Sequence, residues 1–264
     1  MFRAFLLLIV GILMGCQDSV NRGNVLLNKY EIIGGQEVAA NTDISSHSVL
    51  LTVIFSQHDK AIKKDRCSGV LISKRAILTA AHCFQPKDIS FDKVRAYVSY
   101  VVNAKSGTSS DSKWIKDIHV HEQYKARERE YDIAVVTLNE DPPLSYKSAA
   151  LANGISDLKV GAQILLAGYG VTSEDGTKIG STSLKKVSLV LSGIYQFDLV
   201  VSMSDENAIC MGDSGGPGFI ETEEGLKLVS ITRAGTGRGG KSCNKEGLLS
   251  RIDAHYNFIR PFLE

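Results

Sequence analysis

Charge of one sign is what this chain lacks most plainly: 30 lysines and arginines are matched by 29 acids, for a formal net charge of +1. No global field therefore draws it to nucleic acid or another polyanion. It also lacks an apolar run of the roughly 20 residues that a helix needs to cross a bilayer. The run from Ala4 to Gly15 stops at twelve. No C-x2-C pair or histidine cluster accompanies the five cysteines, which argues against a zinc site. No internal sequence repeat is visible. At 264 residues the chain can still bury a sizeable core, as one large all-β unit or as two small domains.

What is present is a series of short runs rich in valine, isoleucine and leucine, at 49–55, 69–72, 94–102, 132–138, 162–168, 186–191, 226–232 and 248–252. Some alternate apolar and polar residues; others are apolar throughout, as strands buried on both faces are. Short strands with frequent glycine between them predict an all-β sandwich or barrel, and composition does not choose between the two. The segment Ala254-His255-Tyr256-Asn257-Phe258-Ile259 has apolar residues at helical spacing, with Asp253 as its N-cap, and predicts a short C-terminal helix. Residues 17–31 are polar and predict a flexible tether.

The run Cys210-Met211-Gly212-Asp213-Ser214-Gly215-Gly216-Pro217 carries chemistry. A serine hydroxyl is a poor nucleophile at neutral pH and needs a base. It also needs backbone N–H groups aimed at the oxyanion that its attack creates. Gly212 and Gly215 let the backbone curl so that such groups converge beside Ser214. Alone, the run also reads as a Gly-Pro turn with an incidental serine. Two other segments favour the nucleophile. Leu78-Thr79-Ala80-Ala81-His82-Cys83 sets a histidine in a small-residue turn after an apolar strand, and Tyr131-Asp132-Ile133-Ala134 sets an aspartate at the start of another. The order His82, Asp132, Ser214 is that of chymotrypsin-type triads, and differs from subtilisins and α/β-hydrolases.

On these residues the chain resembles the trypsin/chymotrypsin family of serine endopeptidases, from Ile32-Ile33-Gly34-Gly35 to its end. The resemblance implies an all-β fold of two six-stranded Greek-key barrels with a short C-terminal helix. It implies hydrolysis of peptide bonds in protein or peptide substrates through an acyl-enzyme. Ser214 becomes the nucleophile, His82 the general base and then acid, and Asp132 the buried carboxylate that orients the imidazole. The N–H groups of Gly212 and Ser214 become the oxyanion hole. Asp213 would be costly to bury without a cation; the family supplies one as the α-amino group freed by a cut before Ile32, so the chain is expected to be a zymogen. That bond follows Glu31, whereas most relatives are cut after Lys or Arg, which leaves the activator open. Four cysteines allow three pairings, and the resemblance selects Cys67–Cys83 and Cys210–Cys243. A catalytically idle homologue that binds a partner is the rival reading.

The resemblance also places a substrate pocket. Ala208 takes the position of its base, where trypsins carry aspartate, and Ile209 follows in place of a small residue. Val229-Ser230-Ile231-Thr232 resembles the family's Val-Ser-Trp-Gly wall, so Thr232 replaces a glycine, and Gly247 matches the glycine on the other side. Ala208 and Ile209 equally suit core packing beneath the site. Such a pocket predicts a preference for small or medium neutral P1 residues. An acidic P1 is the alternative, from Glu31 and from Arg233, Arg238 and Lys241 in segment 233–241, which reads as an expanded, mobile loop held by Cys210–Cys243. Gly235, Gly237 and Gly240 in that segment satisfy G-x-G-x-x-G without the βαβ unit that a dinucleotide site needs. His119 and His121 share a strand face without a third ligand nearby, and His121-Glu122-Gln123-Tyr124 resembles the family's segment before the catalytic aspartate. Neither a metal nor a cofactor is implied.

At the N-terminus, Arg3, the short apolar run and a small residue before the cut predict a secretory signal. Leu13-Met14-Gly15-Cys16 resembles a bacterial lipoprotein signal, in which Cys16 becomes the lipidated first residue; ordinary signal cleavage is the alternative. Cysteine parity favours the lipoprotein, since removing Cys16 leaves four for two disulfides in an oxidising compartment. The chain then divides into a signal peptide, 1–15, a tether and activation peptide, 16–31, and a protease domain, 32–264. It is expected to be exported, either held at the bacterial envelope through Cys16 alone or secreted once the tether is cut. Nothing in the pattern sets an oligomeric state.

Overall fold

The computed structural model describes residues 32–87, 89–101, 111–128, 130–156, 158–170, 183–239 and 241–264. The expected signal and tether, with Cys16 and Glu31, lie outside the described residues, as does Gly240. The strands are β1 (Gln36–Glu37), β2 (Ser48–Gln57), β3 (Lys60–Ser73), β4 (Ala76–Thr79), β5 (Lys93–Tyr100), β6 (Asp111–Val120) and β7 (Ala134–Leu138), then β8 (Gln163–Gly168), β9 (Lys185–Ile194), β10 (Asp198–Ser202), β11 (Pro217–Thr222), β12 (Gly225–Thr236) and β13 (Glu246–Arg251). Every pairing between them is antiparallel. Strands β2-β3-β4-β7-β6-β5 close one six-stranded barrel. Strands β8-β9-β10-β13-β12-β11 close a second through β8 and β9, with β1 added to the outer edge of β9. Counted from its own first strand, each barrel winds 1-2-3-6-5-4, a Greek-key path taken twice by unrelated sequences.

Alternation along β7 shows how the barrels pack. Ala134, Val136 and Leu138 point into the first barrel's core, with Val49, Leu51 and Phe55. Ile133 and Val135 point outward, into a seam with Val70 and Leu78 of the first barrel and Phe219, Leu228 and Ile231 of the second. Strands that border the seam are buried on both faces, which is why 132–138 is so apolar after its first residue. The second core gathers Leu166, Leu189, Val201, Val229 and Leu249.

The helices are short. Helix α1 (Asp43–His47) starts with a capping box between Thr42 and Ser45 and feeds directly into β2. Helix α2 (Tyr256–Ile259) is a single turn between two 3-10 turns, Asp253–His255 and Arg260–Phe262. Asp253 is not an N-cap, which corrects the expectation from sequence. It lies inside the first 3-10 turn, behind Ile252, and its carboxylate is taken instead by Arg251, whose Nε and Nη2 approach it at 3.1 and 2.7 Å. Among the described residues no helix is long and apolar enough to cross a membrane.

Candidate active site

The pairing of β4 with β7 brings the first two candidate residues together. Thr79, the last residue of β4, lies opposite Ala134, the first of β7. The chain then enters a 3-10 turn, Ala81–Cys83, that carries His82, while Asp132 sits two residues before Ala134. The backbone N–H of His82 donates to Asp132 Oδ1 at 2.9 Å, and His82 Nδ1 lies 2.7 Å from Asp132 Oδ2. With Nδ1 engaged by the carboxylate, the imidazole is fixed in the tautomer whose Nε2 can accept a proton. Asp132 is 1% exposed and sits in a tight turn closed by the Ile133 N–H donating to the Tyr131 carbonyl at 2.8 Å. Tyr131 itself has φ 51°, a left-handed conformation uncommon for a bulky residue. Its ring is stacked on His121 at 5.0 Å and packed against Phe197 at 4.9 Å.

Ser214 comes from the other barrel, in the turn that leads to β11. The Asp213 N–H donates to the Cys210 carbonyl, the Gly216 N–H to Asp213, and the Gly215 N–H to Thr232. Gly212 and Gly215 have φ of 94° and 80°. A Cβ on Gly215 would come within 2.0 Å of Thr79 Oγ1, so glycine is needed there for space as well as for backbone shape. The N–H groups of Gly212 and Ser214 have no hydrogen-bond partner among the described residues and are available to a negative oxygen. His82, Gly212 and Ser214 line one cleft of about 350 Å³.

Asp213 is fully buried, and its carboxylate accepts from the N–H groups of Gly170 and Cys210, both at 2.9 Å. No cation pairs with it among the described residues. Burial raises its pKa to about 7, against the pull of those two hydrogen bonds. A Cβ at Gly168 or Gly170 would lie 2.4 Å from a carboxylate oxygen, so the sequence Gly168-Tyr169-Gly170 is a cradle for this one group. Ile32 is also fully buried, in the apolar cluster that holds Ala208, Ile209 and Cys210, and Ile33 forms an isolated antiparallel bridge with Ala208.

Of the expected pocket residues, Thr232 lines the cleft. Ala208, Ile209 and Ser230 are buried below it. The Ile209 side chain presses on Gly247, where a Cβ would lie 2.9 Å from Ile209 Cδ1 and 2.8 Å from Val201. The hydroxyls of Ser230 and Thr232 are buried without a hydrogen-bond partner. Segment 233–241 differs from expectation. β12 continues through Arg233 to Thr236, paired as far as Glu246, so the excursion begins only at Gly237. It is held by the Arg238 N–H donating to Asn244 Oδ1 and by the Asn244 and Lys245 N–H groups donating to Thr236. Arg233 falls at the register shift between Thr232 and Ala234, and its mostly buried guanidinium pairs with Asp198 at 2.7 Å; Lys241 pairs with Asp205 at 2.8 Å.

Both expected disulfides are formed. Cys67–Cys83 ties β3 to the His82 turn, and Cys210–Cys243 ties the serine turn to the segment after β12. His82 lies close to Cys67 and Cys83, but their sulfurs are spent on each other. His119 and His121 pack on aromatic rings of the C-terminal turns, Phe262 and Phe258, both at 4.8 Å. Sequence reasoning missed Ser68, Tyr131 and the Gly168–Gly170 cradle; only the cradle leaves a trace, as two glycines flanking an aromatic residue at a strand end.

Residues 32–259 match the family described as Trypsin. The chain is 30% identical to "Trypsin epsilon" of Drosophila erecta over 223 residues, 79% of this chain and 78% of that protein. It is 30% identical to "Trypsin Tyr p 3.0101" of Tyrophagus putrescentiae over 249 residues, 86% and 79% of the two chains. A bacterial protein, "Trypsin" of Saccharopolyspora erythraea, is 28% identical over 211 residues, 73% and 85%.

The raised pKa of Asp213 has a measurable sign. Between about pH 4 and 7 the unfolded chain has this carboxylate ionised while the folded, uncut chain keeps it protonated. Its contribution to stability therefore falls as pH rises through that window and levels off above it. His255, pushed down to about 4 mainly by burial, has the opposite trend over pH 4–6.5, but it cancels in a comparison with Asp213→Asn. In urea titrations of the uncut chain, the stability of Asp213→Asn relative to wild type should rise with pH by up to about 4 kcal/mol between pH 4 and 8. A flat difference would mean that the carboxylate is already neutralised by a cation.

Proposed function

The chain belongs to the trypsin family and is a serine endopeptidase, and on that premise we propose that Ser214, His82 and Asp132 perform its chemistry. The observation that carries this reading is the pair of contacts between His82 and buried Asp132, in the cleft that Ser214 lines. Ser214 Oγ attacks the scissile carbonyl as His82 Nε2 takes its proton, and Asp132 stabilises the imidazolium that results. The N–H groups of Gly212 and Ser214 receive the oxyanion. The tetrahedral intermediate collapses when His82 returns the proton to the leaving amine. Water, activated by the same imidazole, then hydrolyses the acyl-enzyme. An idle homologue would have no need of two unpartnered N–H groups beside an oriented imidazole.

The enzyme is made as a zymogen whose cut after Glu31 frees Ile32 to neutralise Asp213. This is supported by the burial of Ile32 in one apolar cluster with Ala208 and by the lack of a cation beside Asp213 among the described residues. Proteases of this family are generally secreted or extracellular. Here residues 1–15 act as a bacterial lipoprotein signal, Cys16 carries the anchor, and 16–31 tether the domain at 32–264. Both disulfides lie on the C-terminal side of the cut, so the same cleavage releases the domain from the membrane.

The pocket prefers small or medium neutral P1 residues, because Ile209 fills the space against Gly247 and Thr232 narrows the mouth. The acidic alternative is weakened at Arg233 and Lys241, whose carboxylate partners a P1 carboxylate would have to displace, and rests on Arg238.

Three outcomes are expected. Ser214→Ala should lower kcat by on the order of 10⁵- to 10⁶-fold with unfolding unchanged, because triad members act as a unit; undiminished hydrolysis by the folded variant overturns the assignment. Ile209→Ala should raise kcat/KM for Leu or Phe at P1, relative to Ala, by about tenfold or more. Equal ratios in a peptide library, or dominant cleavage after Glu, would remove Ile209 as the selector. N-terminal sequencing and fractionation of the native protein should find the uncut form beginning at lipid-modified Cys16 in membranes and the active form beginning at Ile32 in the soluble fraction; an active form cut before Ile32 that stays membrane-bound in high salt contradicts the release.

A further inference from the structure

On the outer wall of the first barrel, side chains from four strands form a row that the reaction does not use. Tyr97 of β5 lies opposite Trp114 of β6, and Ile54 of β2 lies between Lys64 of β3 and Arg95 of β5. The Lys64 ammonium sits 5.6 Å from the centre of the Tyr97 ring, and the Arg95 guanidinium sits 5.5 Å from that of Trp114. The two rings meet edge to face at 5.5 Å. Trp114, the chain's single tryptophan, is 53% exposed.

The neighbouring lysines are paired with acids: Lys63 with Asp65 at 2.6 Å, Lys113 with Glu140 at 2.7 Å and Lys116 with Asp117 at 3.8 Å. Lys64 and Arg95 form no ion pair among the described residues and rest on rings instead. A ring face orients a cation without neutralising its charge. Two full positive charges are therefore held in place around an apolar plate, and the Tyr97 phenol is pulled below its usual pKa, chiefly by the Thr52 hydrogen bond and then by Lys64.

Beside this plate the sheet opens. β5 and β6 pair only from Tyr100 and Asp111 to Tyr97 and Trp114. Beyond them β6 is irregular between Ile115 and Ile118, and a groove of about 570 Å³ lies between the splayed strands, with Val94, Ile115 and Ile118 in its walls. The groove thus combines apolar walls, strand backbone and the Arg95 cation, and the one acid in its lining, Asp117, is paired with Lys116.

Its neighbour is the active-site cleft. Lys63 and Asp65 of β3 line that cleft, and Lys64 between them turns to the opposite face and the aromatic row. The two surfaces therefore share β3, one on each of its faces. We propose that this face is a docking site for an extended acidic peptide segment, carried by protein substrates outside the stretch that occupies the cleft. Carboxylates of the segment meet Lys64 and Arg95, and an apolar side chain meets Trp114 and enters the groove. A sulfated polysaccharide or an anionic membrane would use the cations but would leave the apolar groove and the strand backbone unfilled.

The inference rests on the endopeptidase reading, but its first test does not need catalysis. The full chain carrying Ser214→Ala is titrated with a synthetic twelve-residue peptide of alternating Asp or Glu and Leu or Phe, without tryptophan, while Trp114 fluorescence is followed. A saturable change is expected, weakened about tenfold or more by Lys64→Glu with Arg95→Glu, and weakened by added salt. In the enzyme with Ser214 intact, the same two substitutions should leave hydrolysis of a short uncharged peptide unchanged and lower kcat/KM about tenfold for a substrate extended by that acidic segment. No fluorescence response to the peptide, an equal loss on both substrates, or tighter binding of heparin or phosphatidylserine vesicles that the peptide fails to displace would overturn the proposal. Loss of the catalytic reading alone would leave the fluorescence result standing.

Discussion

The turn that presents Ser214 belongs to the second barrel, but it is held in place by Ser68 of the first. The Ser68 N–H donates to the Ser214 carbonyl at 2.8 Å, and its hydroxyl donates to the Gly212 carbonyl at 2.8 Å while accepting from the Tyr169 N–H at 2.9 Å. Its own carbonyl accepts from Thr79 Oγ1 at 2.8 Å, at the strand end from which His82 departs. One small residue thus ties the serine, the strand behind the histidine, and the Gly168–Gly170 cradle into a buried network. Each such bond contributes only about 1 kcal/mol net, but a buried network loses more than one bond when a member goes. The Cys67–Cys83 bridge, beside Ser68 in sequence, fixes the same strand to the histidine turn.

Two buried aspartates show how the same side chain takes different roles. Asp132 has an imidazole and a backbone N–H to share its charge. Asp213 has two neutral N–H groups, and desolvation outweighs them. The first carboxylate shares its oxygens with a side chain and the backbone; the second has the backbone alone. Both are fixed by glycine or by tight turns rather than by long flexible partners, so neither carboxylate can leave its place to find relief.

Legibility in the sequence followed physical constraint. The triad residues stand out because each demands one residue type and a local turn of small neighbours. The runs at 49–55, 132–138 and 162–168 correspond to β2, β7 and β8, where burial imposes an apolar pattern. β6 is hidden because it carries Lys113, Lys116 and Asp117 among its apolar residues and its irregularity breaks the alternation. β10 is short, and β11 begins with Pro217-Gly218, which reads as a turn. The exposed half of β3 is charged, and its hairpin with β2 turns on His58 and Asp59, both with positive φ but without the usual glycine. The cradle for Asp213 depends on a contact across 43 residues, and the strain at Tyr131 is a backbone property that no residue type announces. Of the pocket positions read from the sequence, Thr232 lines the cleft while Ala208, Ile209 and Ser230 are buried, and the contact of Ile209 with Gly247 has no signal in residue type alone.

A carboxyl group with a pKa near 7 is also a reservoir of protons. Burial keeps a proton on Asp213 up to about neutral pH, and in the activation proposed above an ion pair with a new α-ammonium at Ile32 would expel it. Activation would then be a proton-releasing transition. Acid surroundings would hold the molecule back after its chain was cut, and neutral to mildly alkaline ones would draw it forward, until the α-amino group lost its own charge near pH 8. The acidity of the compartment would thus govern when the enzyme becomes competent, separately from how fast it turns over once it is.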